Sequence, residues 1–189
     1  MQLDVKLNQF LRFPEENVLI VMALEQESGG VLEKAGFSVF YTGLGLINAS
    51  SCLTEAILKL KPDRIINLGT AGSFKHQQGA FFEVKSCLQR GDIVSLINSK
   101  IDIPTVTDLP HAICGSSDFI DKQIHSAYDI MDMEVKAYAQ VAKKYQIPFH
   151  SFKFVTDSSD QNLMHDWKKN LQSACVKFLD FLHSLNQPL

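Results

Sequence analysis

Val18-Leu19-Ile20-Val21-Met22-Ala23 is an unbroken apolar run, the pattern of a short strand covered on both faces. Residues Glu25 to Ala35 then predict a helix, with Gly36 as its C-terminal breaker. Phe37 to Tyr41 predicts a second strand, stopped at Gly43-Leu44-Gly45. From Leu46 to Leu60 the apolar positions Ile47, Leu53, Ile57, Leu58 and Leu60 suit an amphipathic helix, which Pro62 limits. Arg64 to Leu68 predicts a third strand, closed by a turn at Gly69-Thr70-Ala71-Gly72-Ser73. Further strands are expected at Asp92 to Ile97, Ala112 to Cys114 and Phe149 to Val155, with a helix over Val135 to Tyr145. The segment Asp166 to Leu185 closes the pattern as an amphipathic helix carrying Trp167, Leu171, Ala174, Cys175, Phe178, Leu179 and Leu182. Strands alternate with helices, so residues 1–189 are expected to form one α/β domain, its largely parallel or mixed sheet lying between helical layers.

Composition narrows the class. With 46% hydrophobic and 21% charged residues over 189 positions, the chain has enough apolar material for a core. A net charge of -3, without a basic run, gives no support to nucleic-acid or anionic-membrane binding. Cys52, Cys87, Cys114 and Cys175 are far apart and form no CxxC pair, which suits reduced, mostly buried thiols. Short apolar runs broken by Asp4, Arg12, Glu15 and Glu16 do not make a signal peptide, and no apolar stretch is long enough to span a bilayer. A cytoplasmic protein is the expectation.

Ligands of α/β folds gather outside the carboxyl ends of the strands. Glu27, Gly43 to Gly45, Gly69 to Ser73, Gly115 to Phe119 and Asp157 all follow predicted strands. Familiar motifs do not explain this grouping. Gly43-Leu44-Gly45 starts like a dinucleotide fingerprint, but Asn48 stands at the third glycine and no suitably placed acid follows. A tight turn explains the glycines equally well, with Asn48 bracing the loop. No P-loop, GxSxG elbow or metal-binding histidine spacing occurs, and the six histidines read as surface or satisfied side chains. Asp129, Asp132 and Asp160 are most simply solvated turn residues. Taken singly, Glu134 is explained as an acid at a helix start and Asp157 as a turn cap.

Four segments change the weighing: Met22-Ala23-Leu24-Glu25-Gln26-Glu27, Gly43-Leu44-Gly45-Leu46-Ile47-Asn48-Ala49, Lys61 to Gly72, and Asp132-Met133-Glu134 through Asp157. In order and spacing they resemble the nucleoside phosphorylase/nucleosidase superfamily, most of all its methylthioadenosine/S-adenosylhomocysteine nucleosidases. The resemblance implies a three-layer α/β/α sandwich around a mixed sheet and a homodimer. It implies an enzyme of methionine salvage that cleaves the N-glycosidic bond of an adenine nucleoside, without a metal or organic cofactor. By position, Glu27 resembles the acid that activates the attacking water, and Asp157 the acid that protonates purine N7. Glu134 resembles the carboxylate that binds the ribose hydroxyls, with Met133 against the sugar and Thr70 near ribose and water. Phe119 and Ile120 resemble a base-stacking residue and a neighbour that reads the base edge.

The chain also departs from the family pattern. Only a short connection, Ser95 to Ile113, stands where relatives carry a longer segment that shapes the pocket for the 5′-substituent. Val135-Lys136 replaces the usual small pair after the ribose-binding acid, and Lys136 reads as a solvated helix residue or as a partner for a pocket carboxylate. A phosphorylase remains an alternative, with Lys75 and Arg90 as its candidate phosphate ligands. A noncatalytic nucleoside-binding paralogue is another.

Overall fold

The computed structural model describes residues 5–91, 100–119 and 126–187. Ile120 and the strand expected at Asp92 to Ile97 lie outside the described residues. The chain opens with a hairpin of β1 (Asn8–Phe10) and β2 (Phe13–Met22), then α1 (Glu25–Ser28), α2 (Val31–Lys34) and β3 (Val39–Tyr41). Next come α3 (Gly45–Leu60), β4 (Arg64–Gly72), β5 (Phe81–Gln89), β6 (Ile101–Asp102) and β7 (His111–Ser116). The order closes with β8 (Ile130–Asp132), α4 (Val135–Tyr145), β9 (Phe149–Asp157) and α5 (Leu163–Ser184).

The sheet is mixed. β2 runs parallel to β3 and β4, and β4 runs parallel to β9 along nearly its whole length. β9 is antiparallel to β5, β5 parallel to β7, and β7 parallel to β8. A bridge from Met131 back to Gly72 joins β8 to β4, so β4, β9, β5, β7 and β8 pair in a closed circuit. Because Gly72 also pairs with Asp157, the circuit brings the carboxyl ends of β4, β8 and β9 together.

Alternation along β2 shows how the apolar run is used. Leu19 and Val21 face a core built with α3 and α4, through Leu53, Ala56, Val135 and Tyr138. Val18, Ile20 and Met22 face a second core with Leu32 of α2 and Ala174, Phe178 and Leu182 of α5. An apolar run is therefore buried on both faces, as its composition requires.

Three local expectations differ from the structure. The helix expected from Glu25 to Ala35 is two short pieces, because Gly29 and Gly30 take left-handed backbone angles (φ 56° and 69°). The expected turn from Gly69 is strand, since β4 continues to Gly72 against β9. β5 has no counterpart in the apolar pattern, because the charged Glu83 interrupts it. Glu83 is fully buried and accepts the Val106 N–H (2.7 Å), the Thr107 N–H (3.0 Å) and the Thr107 hydroxyl (2.6 Å). Those bonds replace its lost hydration.

Candidate active site

Glu27 lies on α1, directly beyond β2, and is buried. Its Oε1 accepts both the Thr70 N–H (2.7 Å) and the Thr70 hydroxyl (2.8 Å). Its Oε2 accepts the Leu24 N–H (3.2 Å). Strand β4 comes this close because Gly69 has no side chain. A Cβ there would sit 2.8 Å from Lys153 Nζ and 3.4 Å from Glu27 Oε1.

Asp157 ends β9 and packs against the last residue of β4. Oδ1 accepts the Ser159 N–H (2.9 Å), and Oδ2 accepts the Thr156 hydroxyl (3.0 Å). Burial pushes the carboxyl above the usual aspartate range, and these donors only partly oppose the rise. A raised carboxyl is the form suited to giving a proton. At Gly72 a Cβ would meet Ser159 Oγ at 2.1 Å and Asp157 Oδ1 at 2.7 Å, so the approach of the two strands requires glycine.

Between these two acids lies a buried group of charges. Glu134, at the start of α4, accepts the Gly45 N–H at the start of α3 (2.8 Å). Burial pushes its carboxyl up to about 8, and the neighbouring Asp132 charge adds to the rise. Asp132 pairs with Lys153 (Oδ2 to Nζ 2.9 Å), and both side chains are almost fully enclosed. Burial works against the Asp132 charge, but the Lys153 ammonium, the Ser116 hydroxyl (2.5 Å) and the Val135 N–H (2.9 Å) outweigh it. Its carboxyl is consequently held below the usual range. The same ion pair holds Lys153 above the usual lysine range despite burial.

Glu27, Thr70, Phe119, Met133, Glu134 and Asp157 all line one cavity of about 600 Å³, a size suited to a small-molecule ligand. Phe119 stands at its mouth with its side chain 78% exposed. Ile120 lies outside the described residues. Among the described residues, no group of three or more His, Cys, Asp or Glu side chains is placed to hold a metal ion. No described helix is long and apolar enough to cross a membrane.

No family model matches the chain. A methylthioadenosine/S-adenosylhomocysteine nucleosidase of Buchnera aphidicola subsp. Schizaphis graminum is 28% identical over 193 residues, covering 78% of this chain and 77% of the relative. One from Buchnera aphidicola subsp. Acyrthosiphon pisum is 26% identical over 180 residues, with 75% of each chain covered. The Helicobacter pylori nucleosidase with 5′-methylthioadenosine in its active site superposes with a TM-score of 0.79 at 15% identity, over 90% of this chain and 97% of that one. The Helicobacter pylori futalosine hydrolase reaches 0.78 at 15% identity, over 89% and 96%. The chain resembles the methylthioadenosine/S-adenosylhomocysteine nucleosidases of the nucleoside phosphorylase/nucleosidase superfamily.

Several residues differ from the expectations placed on them. Asp132 is no solvated turn residue: it is 7% exposed and ion-paired. Asp129 is part-buried, pairing with Lys75 (3.1 Å) and accepting the Ile113 N–H (2.9 Å). Lys136 is buried rather than solvated, with its N–H donated to Ser116 Oγ (3.0 Å). Asn48 does brace the glycine loop, donating to the Leu44 carbonyl (2.7 Å). Arg90 reaches the cavity wall, but its guanidinium donates to the carbonyls of Gly115 (2.9 Å), Phe119 (3.1 Å) and Asp132 (3.3 Å). Trp167 of α5 also lines the cavity. The sequence pattern had placed it only on an apolar helix face. Lys153 is invisible to that pattern too, because one lysine in a strand reads as a solvent-facing position.

Proposed function

We propose that the protein is a hydrolase that cleaves the N-glycosidic bond of an adenine nucleoside, of the methylthioadenosine or S-adenosylhomocysteine class, to free base and ribosyl product. The observation that carries this reading is the meeting of Glu27, Glu134 and Asp157 at one cavity. Asp157, raised by burial, donates a proton to purine N7 and makes the base a better leaving group. Glu27 accepts a proton from the attacking water. Glu134 holds the ribose hydroxyls, with Met133 against the sugar. Phe119 stacks on the base, and Ile120 completes the base contact. One acid and one base on opposite sides of the sugar follow the logic of inverting glycosidases.

Hydrolysis is favoured over phosphorolysis by the use already made of the donors. The Thr70 and Leu24 N–H groups, which an anion would need, bind the Glu27 carboxylate. Arg90 is committed to three carbonyls, and Lys75 donates to the Tyr128 carbonyl (2.5 Å) as well as to Asp129. Among the described residues, a phosphate dianion would meet the acids Glu27, Glu134 and Asp157 and cations already engaged with other groups. The two helical layers support a three-layer α/β/α sandwich, and we read residues 1–189 as one domain. Leu44, Phe119 and Met164 leave an apolar rim (48%, 78% and 56% exposed) around the mouth, which supports a homodimer covering it. A cytoplasmic role in methionine salvage accords with this substrate class.

The test is free-base release from methylthioadenosine, S-adenosylhomocysteine and adenosine, with and without phosphate. Adenine should appear at the same rate in both conditions. Strict dependence on phosphate would replace the hydrolase by a phosphorylase. Tight nucleoside binding without base release would leave a noncatalytic paralogue.

A further inference from the structure

We propose that Trp167 is a positioning residue that acts on Glu27 through Thr70; the role rests on Glu27 being the base that activates water. Trp167 is the chain's one tryptophan. Its indole Nε1 lies 3.1 Å from Thr70 Oγ1, and Thr70 Oγ1 lies 2.8 Å from Glu27 Oε1.

The direction of this chain of bonds follows from the groups themselves. An indole N–H only donates, so Thr70 Oγ1 is its acceptor. The Thr70 hydroxyl then has its own hydrogen to give, and Glu27 Oε1 is the carboxylate oxygen within reach. That oxygen also takes the Thr70 N–H at 2.7 Å. Two donors fill the lone pairs of Oε1, whereas among the described residues Oε2 has one longer bond, from Leu24 N–H at 3.2 Å. The arrangement therefore assigns proton acceptance from water to Oε2. Without the indole, the Thr70 hydroxyl is free to turn away, and the division of labour between the two oxygens is lost.

Helix α5 is well placed to hold the indole there. One turn beyond Trp167, Asn170 donates to the Thr156 carbonyl (2.8 Å) and to Gln78 Oε1 (2.9 Å). Gln78 in turn donates to Asp166 (2.8 Å), the residue before Trp167. The helix segment is thus tied to the strand that ends in Asp157. Both halves of the site are referenced to one helix.

The experiment is a double-mutant cycle on adenine release from methylthioadenosine, using W167F, T70V and W167F/T70V, with T70S as the conservative background. W167F should lower kcat about 3- to 10-fold, the scale of one lost hydrogen bond, with KM little changed. In the T70V background W167F should cost nothing further, and in T70S it should cost what it does in the wild type. An equal loss in wild-type and T70V backgrounds would make Trp167 a packing residue and overturn the proposal. The indole N–H resonance, a single signal in this protein, gives a readout free of activity. T70V should move it upfield, and an unmoved resonance would overturn the Trp167–Thr70 contact. Absence of adenine release by the wild type would overturn the hydrolase reading and the positioning role with it, while the resonance still tests the contact.

Discussion

Replacing Lys153 by Met should expose the cost of the charge beneath the site. The ammonium lies 2.9 Å from Asp132 Oδ2, with the two side chains 2% and 1% exposed. At an effective dielectric of about 20, that separation corresponds to about 6 kcal/mol of attraction. The whole amount is not lost, because Asp132 escapes by taking a proton. At pH 7, protonating a carboxyl of ordinary pKa about 3.9 costs about 4 kcal/mol, at about 1.36 kcal/mol per unit. We therefore expect K153M to lose about 3–5 kcal/mol at pH 7, the usual range for orphaning one member of a buried pair. In a chain of this length that is a fall in Tm of about 6–20 °C.

The pH dependence identifies the cause. Asp132 is held below its ordinary value in the wild type, so its contribution to stability is present above the unfolded pKa and lost as pH falls through the folded one. At pH 5 the proton needed by the mutant costs only about 1.5 kcal/mol, so the gap between wild type and K153M should shrink. Urea unfolding followed by far-UV circular dichroism at pH 5 and pH 7 measures both gaps. K153M/D132N should recover much of the loss, because no charge is then left unpaired. A gap that is the same at both pH values, or below about 1 kcal/mol at pH 7, would refute the reasoning.

Other predictions bear on the acids themselves. E27Q and D157N should each lower kcat for base release by at least about 10²-fold, measured by adenine absorbance, as expected for a lost general base or acid. Wild-type turnover in both would remove the mechanism. E134Q should gain stability over the wild type as pH rises from 5 to 9. The Glu134 carboxyl is raised to about 8 in the folded chain, so ionising it there opposes folding, and a pH-independent difference in urea midpoints would contradict that. G72A should lower activity by about 10²-fold or more, because its Cβ would displace Ser159 and Asp157. Comparison of its kcat with its melting temperature separates displacement from unfolding.

Much of the scaffold was legible from local pattern. The unbroken apolar run of β2, the helical spacing in α3 and the polar-apolar face of α5 each carry a period that burial imposes directly on sequence. The two-piece α1 and α2 and the charged β5 were not legible. The first depends on two successive left-handed glycines, and the second on a buried Glu83 hydrogen-bonded by a loop some 23 residues away.

The same division holds at the site. By itself the sequence determined that Glu27 and Asp157 follow strands and that Glu134 begins a helix, while Gly69 to Gly72 read as a turn rather than as strand in close approach. It could not determine the state of those acids. Asp132 and Lys153 are 21 positions apart and read separately as solvent-facing residues. Trp167 and Thr70 are separated by 97 positions. Only the closed circuit through β8 and β9, with α5 packed against β9, makes neighbours of them. Exposure and charge state depend on which distant groups exclude water and which return a hydrogen bond, and that is a property of the folded whole.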